Sequence, residues 1–343
     1  MASTGGLRSL KGMQELGLVI VVLAIGGFLS TLGHFNAFPG QGNLFLNYDN
    51  LIEGIATPMS IYAIMAIGMT CVIITGGIDI SVGSVMAMAA LGGAAAMEQL
   101  PIDAPWWKVL PVGVLVPVVI GLACGVLNGA CVVGLRMHPF IVTLGTMSIF
   151  RGLATVLPPQ ATLPSGGKRL PIAFTPDIMR WQVGGLEIVP LLVMLGVFVV
   201  GAIYLWFLIA GRETYAVGGN EEAARFSGIR VGRVKFRVYM ISGLCAGIAA
   251  VVSLGRFGTA SSNTGLGYEL VVVAAAVIGG ASLAGGRGTA IGAILGTLII
   301  AMIDNAIITF LGKSEYRQII IGAAIIVAVA LERAGHLVRG RKS

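Results

Sequence analysis

Charge is scarce in this sequence. Only 11% of its residues are Asp, Glu, Lys or Arg, where a soluble domain carries about a quarter. No stretch is polar for long enough to build a water-soluble domain, so the net charge of +7 has no basic module through which to bind nucleic acid. The four cysteines, Cys71, Cys124, Cys131 and Cys245, all sit inside apolar runs without metal-ligand spacing. That excludes a disulfide framework and leaves them as small buried hydrophobes. His34, His138 and His336 are scattered, so no metal site is expected. A phosphate-binding loop is missing too. "LGKSEY" at Leu311 has the ending of one, but the position five residues before Gly312 is Ile307, and an apolar helix replaces the strand and glycine-rich loop. The chain is therefore not expected to be an enzyme, to hydrolyse ATP or to need a cofactor of its own.

Apolar sequence dominates instead: 56% of the 343 residues are hydrophobic and the mean hydropathy is +0.93. The apolar residues fall in continuous runs, whereas a membrane barrel would alternate apolar and polar residues. About 20 apolar residues in a helix cross a bilayer core. Ten runs qualify as candidates: Leu16–Leu32, Ile55–Thr75, Val82–Met97, Val109–Leu135, Pro139–Leu157, Ile188–Ala210, Val238–Leu254, Leu270–Ala284, Gly288–Leu311 and Gln318–Leu331. The expected fold is an all-α polytopic membrane protein of about ten helices. The third, eighth and tenth runs are short, which leaves broken or re-entrant helices open near Gly76 and Gly285.

The whole chain, 1–343, reads as one membrane domain with a short N-tail (1–14), a charged segment (212–237) and a basic C-tail (332–343). With the N-terminus placed in the cytoplasm, 14 of the 22 Lys and Arg fall on the inside, which favours both termini there. The first run follows a basic start and ends without an A-x-A-like cleavage site, so an uncleaved signal-anchor helix is expected. The longest external connection, about Pro158 to Glu187, is expected to have little structure of its own. A weak echo relates "ITGGIDISVGS" from Ile74 to "IGGASLAGGR" from Ile278, although glycine-rich helix packing produces such echoes by itself.

Polar residues inside the apolar runs are the candidates for a pathway, because a bilayer makes them costly. Thr75, Asp79, Ser81 and Ser84 cluster around Gly76 and Gly77, and Asn128, Thr143, Thr146 and Ser148 follow in the fourth and fifth runs. Two readings of Asp79 stand side by side: a ligand-facing carboxylate, or a cap for the helix that follows. Glu269 opens the eighth run, while Asp304 and Asn305 lie in the ninth. Titrating carboxylates would suit an ion-coupled carrier, so these residues hold a second functional reading open. Arg151, in the fifth run, has no partner that sequence can name.

The densest charge lies in "YAVGGNEEAARFSGIRVGRVKFR", Tyr215 to Arg237. Asn220 is a good N-cap, Glu221 and Glu222 suit the positive end of a helix dipole, and Gly228 suits a left-handed stop. Glu221 and Arg225 are spaced i,i+4 in the favourable order, worth only about 0.2–0.5 kcal/mol. A helix this short needs something to pack against. Its E-A-A-x-x-x-G pattern, Glu222, Ala223, Ala224 and Gly228, resembles the cytoplasmic coupling motif of ABC-importer permeases.

Three further blocks, "MAIGMTCVIITGGIDISVGSVMA" from Met65, "GVLNGACVVGLRMHPFIVTLGTMSIFRGLA" from Gly125 and "AAVIGGASLAGGRGTAIGAILG" from Ala275, are similar in kind and order to those of bacterial ribose-type sugar permeases. The resemblance covers nearly the whole chain. It implies a type II importer-like fold in the bacterial cytoplasmic membrane, carrying a monosaccharide or small polyol. It also implies three partners: an ATP-binding subunit with two fused nucleotide-binding domains, a periplasmic or lipid-anchored sugar-binding protein, and a second permease copy or paralogue. On this reading Asn220, Glu221, Glu222, Ala223, Ala224, Arg225 and Gly228 would contact the ATPase. Thr75, Asp79, Ser81, Asn128, Thr143, Glu269, Asp304 and Asn305 would line the path. Two departures are visible: the I-x-L-P ending of the broader coupling motif is absent, and Asp304 stands where that family more often has an uncharged residue.

Overall fold

In a bilayer core every backbone N–H and C=O must find its partner within the protein, so long apolar runs fold as helices. A computed structural model of the chain describes residues 4–36, 42–158 and 160–312, with positions 316, 319–320, 322–323, 326 and 330 beyond. The tenth expected run and the basic C-tail lie essentially outside the described residues.

Eleven α-helices are described: α1 (Thr4–Phe35), α2 (Thr57–Ile74), α3 (Val82–Met97), α4 (Trp106–Gly134), α5 (Pro139–Val156), α6 (Val189–Trp206), α7 (Ile209–Gly219), α8 (Glu221–Phe226), α9 (Val231–Phe257), α10 (Tyr268–Ile278) and α11 (Ala290–Ala306). A π-helical turn, Asn50–Ala56, leads into α2, and another, Ile307–Leu311, extends α11. Among the described residues seven helices are long and apolar enough to cross a membrane, and α3 and α10 are shorter apolar helices. The chain is thus a multi-pass helical membrane protein.

Several boundaries differ from those the apolar runs suggest. The sixth run breaks at Phe207–Leu208, so Ile209 and Ala210 begin α7 and not the end of a span. Hydropathy cannot see this turn, because both sides of it are apolar. The helix of the seventh run, α9, starts at Val231, seven residues before the apolar run, and takes in Arg233, Lys235 and Arg237. Arg237 is tolerated there because its guanidinium binds the Ala210 carbonyl at 2.9 Å and the Glu213 carboxylate at 3.0 Å. The charged segment 212–237 is consequently three elements: the end of α7, all of α8 and the start of α9. The eighth run stops at Ile278, and α1 continues back through the expected N-tail to Thr4.

The connection after α5 also has more structure than its Pro and Gly content suggests. Its short strand β1 (Thr162–Leu163) pairs with β4 (Ala260–Ser261), while β2 (Gln182–Val183) pairs with β3 (Leu186–Glu187). Glu98, just past α3, accepts from the Ser165 hydroxyl at 2.7 Å and pairs with Lys168 at 3.3 Å. Phe174 is fully buried, against Gly113 of α4 and Met97 of α3. These contacts hold the connection onto the helix ends.

Among the described residues the most extensive helix pairing is α4 against α9. Gly121 and Gly125 face Gly243 and Gly247, and a Cβ added at Gly243 would lie 2.3 Å from the Gly121 carbonyl. Small residues four apart let two backbones touch where lipid supplies no hydrophobic drive between helices. Gly243→Val should therefore lower stability by about 1–3 kcal/mol through overpacking, read as unfolding in detergent. Gly196→Val on α6, where no atom lies within 4 Å, should be close to neutral.

Candidate functional site

The site begins where α2 stops. The Thr75 hydroxyl turns back to the Val72 carbonyl at 2.8 Å, and Gly76, at φ 75°, takes the left-handed conformation that ends the helix. Residues 75–81 then run as a loop inside the helix bundle before α3 starts. Asp79, only 1% exposed, is the centre of that loop. Its Oδ1 accepts from the Ser81 backbone N–H at 3.1 Å and the Ser81 hydroxyl at 2.6 Å. Its Oδ2 accepts from Ser242 of α9 at 2.8 Å. Asn128 of α4 donates to the Ser81 hydroxyl at 2.7 Å and more weakly to Asp79 at 3.5 Å. Thr143 of α5 donates to the Ile78 carbonyl at 3.2 Å.

A buried carboxylate without partners would cost several kcal/mol. Here donors from the loop and from two other helices supply the partners, so α4 and α9 are tied to the loop through one side chain. Asp79 does not act as the N-cap of α3; Ser81 occupies that position, without a side-chain cap bond. The cluster also has spare capacity, since the Asn128 Oδ1 and the Tyr239 hydroxyl are buried with no hydrogen-bond partner among the described residues. Gly77 leaves the room that the Tyr239 hydroxyl occupies: a Cβ there would be 2.7 Å from it.

A second irregular connection, 279–289, joins α10 to α11 and meets the first. The Gly286 N–H donates to the Ile74 carbonyl at 2.8 Å, so the two segments of the sequence echo lie in contact. Gly218 of α7 packs against both: a Cβ there would fall 1.6 Å from the Ile74 carbonyl and 2.7 Å from the Gly286 nitrogen. The Tyr215 hydroxyl, one turn earlier, donates to the Gly288 carbonyl at 2.6 Å.

Asn220 follows directly and caps α8, accepting from the Ala223 N–H at 2.9 Å. Gly228, at φ 84°, closes it, with Gly228 N–H to the Arg225 carbonyl and Ile229 N–H to the Ala224 carbonyl, both at 3.0 Å. Glu221 pairs with Arg225 at 3.2 Å and with Lys235 of α9 at 2.7 Å. Ala224 is buried against Val217, Val231 and Val234. Glu222 and Ala223 face outward, and Phe226 is 86% exposed.

Thr75, Asp79, Ser81, Asn128 and Thr143 are thus in or around one loop, whereas the other candidates lie elsewhere. Asn305 exchanges hydrogen bonds with Asn50 at 2.7 and 3.2 Å, joining α11 to the π-helical turn before α2, and Asp304 sits beside it. Glu269 faces Gly83 at the start of α3, with its buried Oε2 unpartnered among the described residues. Arg151 binds the Ser262 and Thr264 carbonyls at 2.5 and 2.9 Å. Ser242, Tyr239, Tyr215 and Gly218 did not stand out in the sequence, because a lone serine, tyrosine or glycine in an apolar helix looks like packing.

A multi-pass membrane protein with two interrupted helix pairs meeting below a capped, outward-facing helix belongs among membrane transport components. The chain is a member of the family described as "Branched-chain amino acid transport system / permease component", which matches residues 51–329. It is 37% identical over 295 residues to the ribose import permease protein of Escherichia coli strain K12, covering 84% of this chain and 86% of that protein. It is 34% identical over 320 residues to the D-allose transport system permease protein of the same organism, covering 92% and 90%. The fructose import permease protein of Bifidobacterium longum is 34% identical over 289 residues, 81% of each chain. No solved structure matches the chain.

Removing the Ser242 hydroxyl deletes one hydrogen bond to a buried carboxylate, so Ser242→Ala should destabilise the protein by about 1.5–3 kcal/mol. Asp79→Asn, which keeps acceptor capacity, should cost less than Asp79→Leu, which leaves Ser81 and Ser242 without their acceptor. Denaturant unfolding in mixed micelles would give the order.

Proposed function

We propose that this chain is the permease of an ATP-driven importer that carries a monosaccharide or related polyol across the bacterial cytoplasmic membrane, and that α8 docks on a separate ATP-binding subunit. One observation carries the reading: α8 is a six-residue helix closed at both ends, held inward by Ala224 and outward-facing through Glu222, Ala223 and Phe226. Two turns cannot be stable alone, and the capping keeps this one shaped for contact. Beside it runs a groove of about 630 Å³ lined by Arg136 and Arg230 and by Glu221 with its partners Arg225 and Lys235, over Val132 and Ile229; its net basic charge suits an acidic element of the partner. The sugar-import names of the relatives support the substrate class.

The remaining assembly follows the same reading. The full chain forms one membrane domain with both termini in the cytoplasm, and pairs with a second permease copy or paralogue. An ATP-binding subunit with two fused nucleotide-binding domains sits below it, and a periplasmic or lipid-anchored binding protein delivers the sugar. Motion of α8 reaches the membrane through α7, because Gly218 and Tyr215 bear on the loops at Ile74 and Gly288. Rearrangement of those loops would reset the Asp79 cluster and so open or close the path on one side. An ion-coupled carrier has less in its favour: Asn305 is satisfied by Asn50, and the relatives are named as import permeases.

Reconstituted with its ATPase and binding protein, Glu222→Lys should insert normally yet lose at least tenfold of its substrate-stimulated ATP hydrolysis. Undiminished stimulation would make α8 a plain loop helix. Gly218→Val should abolish uptake while α8 still binds the ATPase, measured by co-purification. Uptake by this chain alone under an ion gradient, unaffected by adding the ATPase, would overturn the importer reading.

A further inference from the structure

At the end of the bundle away from α8, the loop 258–267 folds back between α9 and α10 and walls a cleft of about 340 Å³. Ligand pockets span roughly 300–1,000 Å³, so this one suits a molecule the size of a single sugar ring. The hydroxyls of Thr162, Ser253 and Thr259 and the amide of Asn263 line it, beside the rings of Phe257 and Tyr268. Every side chain lining the cleft is uncharged.

Ser253 is the decisive group. It is only 2% exposed, it faces the cleft, and it has no hydrogen-bond partner among the described residues. Buried hydroxyls in helices usually turn back to a carbonyl one turn earlier, as Thr70 and Thr297 do here at 2.7 Å.

The wall behind these groups is fixed without using them. Arg151 holds the Ser262 and Thr264 carbonyls, the Thr264 hydroxyl accepts from the Ser261 N–H at 2.9 Å, and β1 pairs with β4. Tyr268 is set edge-on against Tyr62, with ring centroids 4.6 Å apart. The cleft is therefore preformed, and its free donors and acceptors are available to a ligand.

We infer that this cleft is a subsite of the permease itself for a neutral polyhydroxylated ligand, with Ser253 and Asn263 bonding hydroxyls and Phe257 and Tyr268 meeting the apolar face of the ring. The absence of charge disfavours amino acids and sugar acids, whose ionised groups would be desolvated without a counter-charge. Gly265 connects the cleft to the Asp79 loop: its carbonyl lies 2.4 Å from where a Cβ on Gly83 would be, and Gly83 is in the first turn of α3. A ligand seated here would stand directly outside the loop that the coupling elements move. The inference rests on the importer reading for its direction, outer cleft to inner gate, but the binding chemistry does not.

The test is saturation-transfer NMR on the full chain in nanodiscs, without ATPase or binding protein, using ribose, allose and fructose as probes and gluconate as the charged control. At least one neutral sugar should bind and gluconate should not. Ser253→Val and Asn263→Ala should each weaken binding about tenfold or more, and Asn263, being exposed, can be changed without disturbing the fold. Absence of sugar binding, or binding that neither variant alters, would overturn the subsite. If Asn263→Ala instead weakens only capture of the binding protein, the cleft is a protein-docking surface and the inference fails. ATP-dependent uptake by the wild-type complex, measured alongside, separates the two levels: uptake without variant-sensitive sugar binding defeats the subsite alone, and variant-sensitive binding without ATP-dependent uptake defeats the importer reading alone.

Discussion

The carboxylate of Asp79 sets the terms for the middle of this protein. A charge-bearing group in a low-dielectric bundle stays only where donors surround it. Ser81 from its own loop, Asn128 by way of Ser81, and Ser242 from α9 supply them. Satisfying one side chain therefore fixes the distance between the interrupted α2–α3 pair and the long helices α4 and α9. The glycine contact between α4 and α9 is what permits this, because Gly121 and Gly243 let the two helices approach closely enough for Asn128 and Ser242 to reach one loop.

The second constraint is backbone contact at the other side of that loop. Gly76, Gly218, Gly285 and Gly286 bring three chain segments together with almost no side chain between them. Such a junction transmits displacement well, since packed backbone cannot give way as a flexible side chain can. It lies between the capped helix α8 and the Asp79 cluster, so α7, both irregular connections and the polar loop meet at one packed point. The polar cleft near Ser253 abuts the first turn of the same α3, through Gly265 and Gly83, directly beside the Asp79 loop.

Much of this was legible in the residues alone. The long apolar runs carried the helices because a bilayer leaves the backbone no other way to satisfy itself. The α8 cap and stop were readable because Asn220, Glu221, Glu222 and Gly228 act within a few residues of each other, where local chemistry decides conformation. Less legible were the break at Phe207–Leu208, which lies within uniform hydropathy, and the start of α9, whose basic first turns depend on Glu213, Glu221 and the Ala210 carbonyl from earlier in the chain. The structure of the connection over 160–187 was invisible for a similar reason, since Glu98 and Gly113 hold it from distant elements.

Composition and short-range pattern determined that the chain is a multi-pass helical membrane protein and that Asn220 to Gly228 forms a closed helix. The tertiary structure alone decided which polar residues act together: Asp79 with Ser242, Asn305 with Asn50, Arg151 with a loop more than a hundred residues away. In apolar helices a serine or asparagine carries no sequence signal of its partner, because hydrogen bonding there depends on which helices meet. That meeting is set by the close packing of small residues along the whole bundle.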